Sequence, residues 1–310
     1  MMRMMTMITK VPYSTHEEWL SIRHYYIGGS DAAAVVGLNK FCSPLALWAE
    51  KTDQAAPFDG NLATEVGAYL EEFVAKKFEK ETGKKARRKN FSLINDLYPW
   101  AIANIDREII GEDAGLEIKT TSALNLKRFK NGEYPENYYV QCVHYMAVTG
   151  KKKWYLAVLI GNSDFRIFEI ERDEEEITAL MEAEKDFWKF VVDKTPPPAD
   201  GYESTTRALS AVYPESEDVS VDLTMVRLAI EDYKALSDRI KEMEELKEAR
   251  ANEIKSAMGD AAEGISGEYR VTWKSQTRRT FDRKAFEAEN GEIPDKYYKQ
   301  TENRVFKIAG

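Results

Sequence analysis

Apolar residues recur with helical spacing in several segments of the first two thirds of the chain. The longest such segment is 62–82, which Gly83 follows as a helix-ending residue. The predicted core positions of this helix are Val66, Leu70, Phe73, Val74 and Phe78. The same reasoning predicts helices over 16–26, 31–39, 43–52, 135–150 and 174–192. Ser14 or Thr15 is the expected N-cap of the first helix, and Ser30 and Asp31 are N-cap candidates for the second.

Between these helices, short apolar runs rich in β-branched and aromatic residues predict strands. The predicted strands are 91–95, 100–109, 115–121, 154–161 and 164–172. The loop GEDA, residues 111–114, predicts an antiparallel hairpin joining the second strand to the third. Helices and strands in this order predict an α/β (α+β) domain, in which helices flank a small central mixed sheet.

The character of the chain changes near residue 195, where TPPPADGYEST is its strongest linker signal. We therefore predict a core domain over 1–195, a Pro-rich linker over 196–220 and a C-terminal extension over 221–310. The extension is expected to contain a long charged helix over 222–258, a small β element near 268–281, a short helix and a final strand, NRVFKI. Oligomerisation and partner docking are both open as its role.

Composition narrows the function classes. The chain has 310 residues, of which 43% are hydrophobic and 31% charged, and its net charge is -9. An acidic chain does not coat nucleic acid by bulk charge, although a local basic groove and a bound metal still allow DNA chemistry. The two cysteines belong to no Cys/His cluster, which argues against structural zinc and fits a reducing cytoplasm. The Met-rich start is not expected to be a signal peptide, and no membrane span is expected.

Candidate chemistry centres on GLEIKTTS, residues 115–122. Glu117 and Lys119 share one face of a predicted strand, and the hairpin brings Asp106 near Glu117. Two adjacent carboxylates favour a bound Mg²⁺ or Mn²⁺, to which Ile118 can add its backbone carbonyl. Such a site suits phosphodiester hydrolysis, with Lys119 orienting or deprotonating water. The alternative is a surface ion pair, which E-x-K strands commonly form.

Three further stretches surround this element in a fixed order: residues 22–48, 67–78 and 138–161. They read IRHYYIGGSDAAAVVGLNKFCSPLALW, GAYLEEFVAKKF and YYVQCVHYMAVTGKKKWYLAVLIG. Together with the D…ExK element they resemble the YqaJ-type viral recombinase family, relatives of the lambda-phage exonuclease within the PD-(D/E)XK nuclease superfamily. The resemblance spans residues 18–192 and implies a PD-(D/E)XK restriction-endonuclease-like core.

The resemblance implies roles for individual residues. Asp106, Glu117 and Glu71 match metal-binding carboxylates, and Lys119 matches the catalytic lysine. Glu71 is preferred to Glu72 because of its spacing from the glycine in GAYLEE.

Four more residues match family positions outside the metal site. Arg23 and Ser30 match residues that grip a DNA 5′-phosphate, and Gln141 with Tyr138 matches a supporting helix. The chain departs from the family at Ile105, which stands where the family has the proline before the aspartate; Ile supports a strand at least as well.

The implied function is a Mg²⁺-dependent exonuclease, with Mn²⁺ substituting, that degrades the 5′ strand of linear double-stranded DNA and leaves 3′ single strands. The implied partners are a single-strand annealing protein of the RecT type and further copies of the chain, with a ring-shaped trimer as one arrangement. The implied location is the bacterial host cytoplasm. Two alternatives stay open: an endonuclease on the same core, and a catalytically silent DNA-binding or assembly protein.

The basic run KKARRKN, residues 84–90, is the best local candidate for DNA-backbone contact. The alternative is a charged strand edge that prevents aggregation.

Overall fold

The computed structural model describes residues 7–55, 60–299 and 304–309. The chain divides into two compact units, Met1–Pro214 and Glu215–Gly310. Within the described residues, no helix combines the length and the apolar character that crossing a membrane requires.

The first unit mixes helices with strands. Its helices are α1 (His16–His24), α2 (Gly29–Val35), α3 (Pro44–Lys51), α4 (Leu62–Thr82), α5 (Glu136–Thr149), α6 (Glu174–Val192) and α7 (Glu203–Val212), and a 3-10 segment covers Ala123–Gly132. Its strands are β1 (Ile8–Pro12), β2 (Ile27–Gly28), β3 (Ala86–Arg87), β4 (Phe91–Asn95), β5 (Ala101–Ala103), β6 (Arg107–Ile109), β7 (Ala114–Thr121), β8 (Lys153–Ile160) and β9 (Asp164–Glu171).

A five-stranded mixed sheet carries the candidate chemistry, with the strand order β3-β6-β7-β8-β9. Only β7 and β8 run parallel, and the other neighbours are antiparallel. Helix α4 packs Val74 and Phe78 against Leu116 of β7, while the buried face of α5 packs Met146 with Trp154 of β8. Helices thus cover both faces, which confirms the predicted α/β (α+β) fold class with a mixed sheet flanked by helices.

A second sheet of four strands, ordered β1-β4-β5-β2, was not predicted. Strand β1 lies in the Met-rich start, of which residues 1–6 fall outside the described residues. The prediction of one continuous strand over 100–109 is wrong, because β5 belongs to this sheet and β6 to the five-stranded one. The apolar residues are buried both in β5 and in β6, so the hydrophobic pattern does not show where the chain passes from one sheet to the other.

The N-terminus of α2 differs from the prediction. The N-cap is Gly28, not Ser30 or Asp31. Asp31 occupies the third helical position, where its carboxylate accepts a hydrogen bond from the Gly28 backbone N–H at 3.0 Å. Thr15 caps α1 through a capping box with Glu18, as predicted.

Helix α4 has the predicted bounds and ends at Gly83 in the left-handed conformation. Its predicted core face is wrong at two positions, since Val66 is 42% and Phe73 55% exposed. Val74 and Phe78 are fully buried, as predicted.

Helix α7 lies inside the segment 196–220 that was predicted as a linker. Ala208 of α7 is buried in a cluster with residues of α3. Ser204 accepts a hydrogen bond from the Ser43 backbone N–H at 3.1 Å, and the Tyr202 hydroxyl donates to the Gly37 carbonyl at 2.9 Å. These contacts fix the segment to the first unit, which extends to Pro214.

The second unit is built on α8 (Arg227–Met258), a 32-residue helix without a buried residue. A hairpin of β10 (Glu263–Ser266) with β11 (Tyr269–Thr272) and the short helix α9 (Arg283–Asn290) follow. The predicted final strand, residues 303–308, is wrong for residues 304–308, which have no strand conformation, and Asn303 lies outside the described residues. Phe306 instead packs its ring edge-on against Tyr233, with 5.6 Å between the ring centroids.

Candidate active site

Asp106 and Glu117 lie together at the start of the β6–β7 hairpin. Arg107, the first residue of β6, pairs with Leu116 of β7 in the antiparallel register. Asp106, just before β6, therefore comes close to Glu117, just after Leu116. The Ile118 backbone N–H donates a hydrogen bond to Oδ2 of Asp106 at 2.7 Å. The hairpin therefore brings the two carboxylates together as predicted, although Asp106 lies just before β6 and not on it.

The two carboxylates share an electrostatically strained position, in which Glu117 is buried and Asp106 is half-buried. Burial and the neighbouring Glu117 raise the pKa of Asp106 well above its ordinary value. Burial also raises the pKa of Glu117, which is 2% exposed, although Lys119 opposes the shift. Oδ2 of Asp106 has its backbone donor, but Oε2 of Glu117 is buried without any hydrogen-bond partner among the described residues. An orphaned carboxylate oxygen of this kind is a position that a cation satisfies.

Lys119 lies beside Glu117, with 2.6 Å between Nζ and Oε1 of the carboxylate. Nζ also donates a hydrogen bond to Oε1 of Gln141 at 2.8 Å and lies 5.4 Å from the ring centroid of Tyr138. Burial acts to lower the pKa of Lys119, but Glu117 outweighs it and the pKa is raised. The Lys119 ammonium group is therefore held by Glu117, Gln141 and the ring of Tyr138.

Gln141 connects the lysine to a second residue of α5. Its Nε2 donates a hydrogen bond to the Tyr145 hydroxyl at 2.9 Å, and both side chains are buried. Sequence analysis missed Tyr145 as a site residue. The available signal was the spacing of four residues from Gln141, which puts the two on one helical face.

Glu71 approaches the carboxylate pair from α4, where Arg107 holds it. The Arg107 guanidinium, 3% exposed, contacts Oε1 of Glu71, donates to the Asp106 carbonyl at 2.7 Å and donates to Oε2 of Glu72 at 3.0 Å. Glu71 contributes to the raised pKa values of Asp106 and Glu117, so it lies within electrostatic range of both. Arg107 was also missed, and nothing in its sequence position distinguishes it from a surface cation.

Two carboxylates, Asp106 and Glu117, are placed to bind a divalent cation, but a preformed set of three ligands is not seen among the described residues. Across the described parts of the chain, no three carboxylate, imidazole or thiol side chains are arranged to hold one metal ion. Asp106 and Glu117 supply carboxylate oxygens, of which Oε2 of Glu117 is buried and orphaned, and hard cations such as Mg²⁺ prefer oxygen ligands. Glu71, the third predicted ligand, has its Oε1 in contact with the Arg107 guanidinium.

Arg23 and Ser30 form a second polar group at the α1–α2 junction. Nη2 of Arg23 donates to Oγ of Ser30 at 2.5 Å and to Oδ1 of Asp31 at 2.7 Å. Lys51 of α3 lies 3.0 Å from the other Asp31 oxygen. Burial acts to raise the pKa of Asp31, but the two cations hold it below its ordinary value. This carboxylate anchors Arg23 and Lys51. Sequence analysis named Asp31 only as an N-cap candidate and did not name Lys51.

Gly29 joins the two groups. A Cβ atom at this position would lie 2.5 Å from Cε1 of Tyr145, so only glycine permits the approach. Tyr145 in turn contacts Gln141, which accepts from Lys119. The anchored arginine and the lysine–carboxylate group are thus connected through one packed aromatic ring.

Comparison with known proteins gives two sequence relationships. The family described as YqaJ-like viral recombinase domain matches residues 18–152. The uncharacterized protein YqaJ of Bacillus subtilis (strain 168) is 40% identical over 300 residues, which cover 95% of this chain and 94% of the relative. The similarity therefore includes both compact units.

Similar solved structures include the alkaline exonuclease LHK-Exo from Laribacter hongkongensis, which has a TM-score of 0.49 and 19% identity. Its complex with dAMP has the same TM-score and 20% identity, and each match covers 58% of this chain and 94% of the other. A putative exonuclease from Eubacterium rectale has a TM-score of 0.44 and 13% identity over 70% of this chain and 98% of the other.

Proposed function

The chain belongs to the YqaJ-like viral recombinase family, and from this premise we propose that it is a metal-dependent exonuclease acting on linear double-stranded DNA. It degrades the 5′ strand and leaves a 3′ single strand for recombination. The observation that carries the proposal is the close pair of Asp106 and the buried Glu117, in which one carboxylate oxygen of Glu117 has no hydrogen-bond partner among the described residues.

Mg²⁺ is the proposed cofactor, and Mn²⁺ is expected to substitute. Asp106, Glu117 and the Ile118 carbonyl would hold the ion, with Glu71 as the further ligand. When bound, a divalent cation at this position activates water and neutralises charge that builds on the scissile phosphate.

Lys119 is proposed to position the attacking water. Its ammonium group already donates to Gln141 and pairs with Glu117, so its direction is fixed before substrate arrives. A preorganised donor of this kind stabilises developing negative charge without reorientation during the reaction. Tyr138 and Gln141 support it from α5 through the ring face and the amide oxygen.

Arg23 and Ser30 are proposed to bind the terminal 5′-phosphate. The Asp31 carboxylate holds the guanidinium from one side, which leaves its remaining N–H groups for a phosphate. Such a pocket gives the enzyme a requirement for a phosphorylated end. A single-strand annealing protein of the RecT type is the proposed partner on the 3′ strand. Further copies of the chain, in a ring such as a trimer, would keep the enzyme on DNA.

Digestion of linear duplex DNA with Mg²⁺ tests the proposal, using 5′-phosphorylated ends, 5′-hydroxyl ends and closed circular plasmid. The expected result is degradation of the phosphorylated linear duplex, with mononucleotides released and the circle intact. Nicking of the circle would identify an endonuclease, and absence of cleavage with Mg²⁺ and Mn²⁺ would leave a silent DNA-binding protein.

A further inference from the structure

The basic run from Lys84 to Lys89 contains five cations, and four of them are paired within the protein. Lys84 contacts Glu112, and Lys85 lies 3.9 Å from Glu79. Arg87 and Lys89 both bind Glu108, at 3.0 Å and 2.6 Å respectively.

Glu108 is the main partner of the run. Burial acts to raise the pKa of Glu108, but hydrogen bonds and ion pairs with Lys89, Arg87 and Lys151 lower it to about 2. A cation paired with an ionised carboxylate binds phosphate less favourably than a free cation, because the phosphate must compete with the existing ion pair.

Arg88 is the exception. It is exposed, and among the described residues no carboxylate lies within 4.0 Å of its guanidinium, in contrast to its four basic neighbours. An exposed, unpaired guanidinium is the form of arginine that binds phosphate most readily, since no internal contact must be broken.

The position of Arg88 is set by the β3–β6 register. Strand β3 ends at Arg87, which pairs with Glu108 of β6, and Arg88 directly follows it. Arg107, the residue that holds Glu71, directly precedes Glu108 on β6. The unpaired cation therefore follows the end of β3 that lies next to the first residue of β6.

Tyr13 supports this placement independently. It follows β1, whose last residue, Pro12, pairs with Phe91 just after the basic run. The pKa of the Tyr13 hydroxyl is raised by burial, lowered by Arg88, and raised by Glu71 and Asp106, so the phenol lies within electrostatic range of all three. The half-buried Tyr13 thus has Arg88 and two of the candidate metal-site carboxylates among its charged neighbours.

We infer that Arg88 is the residue of the basic run that contacts the DNA backbone, binding a phosphate of the substrate strand beside the metal-site carboxylates. Tyr13 supplies a neutral hydroxyl donor at the same place. The other four cations of the run stabilise the sheet edge and do not contact DNA. This inference rests on the proposed function, because it assigns a substrate contact at the same site.

Binding of a 5′-phosphorylated linear duplex, measured by fluorescence anisotropy with Ca²⁺ in place of Mg²⁺, tests the inference. Affinities are measured from about 50 to about 200 mM salt for the wild type, Arg88→Ala and the matched control Arg87→Ala. Loss of one charged phosphate contact is expected to weaken binding by Arg88→Ala about tenfold. The slope of log affinity against log salt should also fall by about one for this variant. Arg87→Ala should keep the wild-type slope.

Thermal unfolding of each variant shows whether the fold is retained, which the exposure of both side chains favours. Equal slopes for the two variants would overturn the inference and leave the proposed function standing, provided that the wild type binds and cuts DNA. If the wild type binds no duplex at any salt concentration, the proposed function fails and the inference fails with it. Tyr13→Phe should weaken binding without changing the salt slope, since the phenol carries no charge.

Discussion

Lys119 and Gln141 connect the sheet to α5 through one hydrogen bond of 2.8 Å between Nζ and Oε1. The bond joins β7, the strand that carries Glu117, to the helix that packs behind it. Because Glu117 holds the same ammonium group at 2.6 Å, the lysine has two fixed acceptors before any substrate arrives. The direction of this side chain is therefore a property of the folded protein.

Lys119→Ala is expected to abolish cleavage while duplex binding stays close to that of the wild type. Removing the ammonium group removes the donor that we propose positions water, and general acid–base groups contribute about 10²–10⁴-fold in rate. Rates of digestion with Mg²⁺ and affinities with Ca²⁺ measure the two properties separately. Lys153→Ala is the control, because this lysine of β8 pairs with Glu169 and Glu171 instead. Cleavage by Lys119→Ala at nearly the wild-type rate would remove it from the catalytic set.

Gln141→Met is expected to lower kcat about 10-fold or more with little change in KM. Methionine is similar in length to glutamine but has no amide oxygen to accept from Lys119, so the ammonium group is less firmly oriented. Steady-state digestion of a labelled duplex gives both constants. Tyr145→Phe is the comparison variant, since it removes only the hydroxyl that accepts from the other end of the amide. A change confined to KM would instead assign Gln141 to substrate binding.

Gly29→Ala should destabilise the first unit by about 1–3 kcal/mol, because the added methyl group overlaps the Tyr145 ring. Urea denaturation measures the free energy of unfolding. Gly201→Ala is a control at which an added Cβ meets no atom within 4 Å. The cost of Gly29→Ala should shrink in a Tyr145→Ala background, where the ring is absent. An equal cost in both backgrounds would show that the overlap is not the cause.

Much of the fold and part of the site could be predicted from the sequence. The family resemblance is confirmed, and the helix bounds of α4 and α6 match the predicted ones. Asp106 and Glu117 could be paired because turn residues between two apolar runs predict a hairpin, and a hairpin fixes which residues lie opposite each other. Local patterns suffice for such features, since each depends on neighbours in sequence.

The remaining parts depend on contacts that no local pattern encodes. Arg107 reaches Glu71 on a distant helix, and Lys51 reaches Asp31 between two helices. The break between β5 and β6 is hidden because both strands are apolar and buried. The division of the basic run into paired and unpaired cations likewise requires Glu108 to be located on the neighbouring strand.

A buried ion pair outside the candidate site also escaped prediction. His144 of α5 and Glu184 of α6 are fully buried, with 2.7 Å between Nδ1 and Oε1. The other ring nitrogen, Nε2, lies 3.0 Å from the Ile102 carbonyl oxygen, which can only accept a hydrogen bond. With an acceptor at each nitrogen, the imidazolium form satisfies both contacts.

This pair predicts that stability falls as pH rises above the ordinary pKa of histidine. Burial acts to lower the pKa of His144, but Glu184 outweighs it and the pKa is raised above 6.5. The stabilisation is therefore fully present below about 6.5 and is lost as the pH rises through the folded-state pKa, because the folded protein keeps a proton that the unfolded chain releases. The slope is at most about 1.4 kcal/mol per pH unit for one proton. Urea denaturation between about pH 6 and 9 should show this decline in the wild type. Glu184→Gln should give a flatter profile, because its neutral amide lacks the negative charge that raises the pKa of His144. Parallel profiles for the two proteins would show that His144 does not retain its proton.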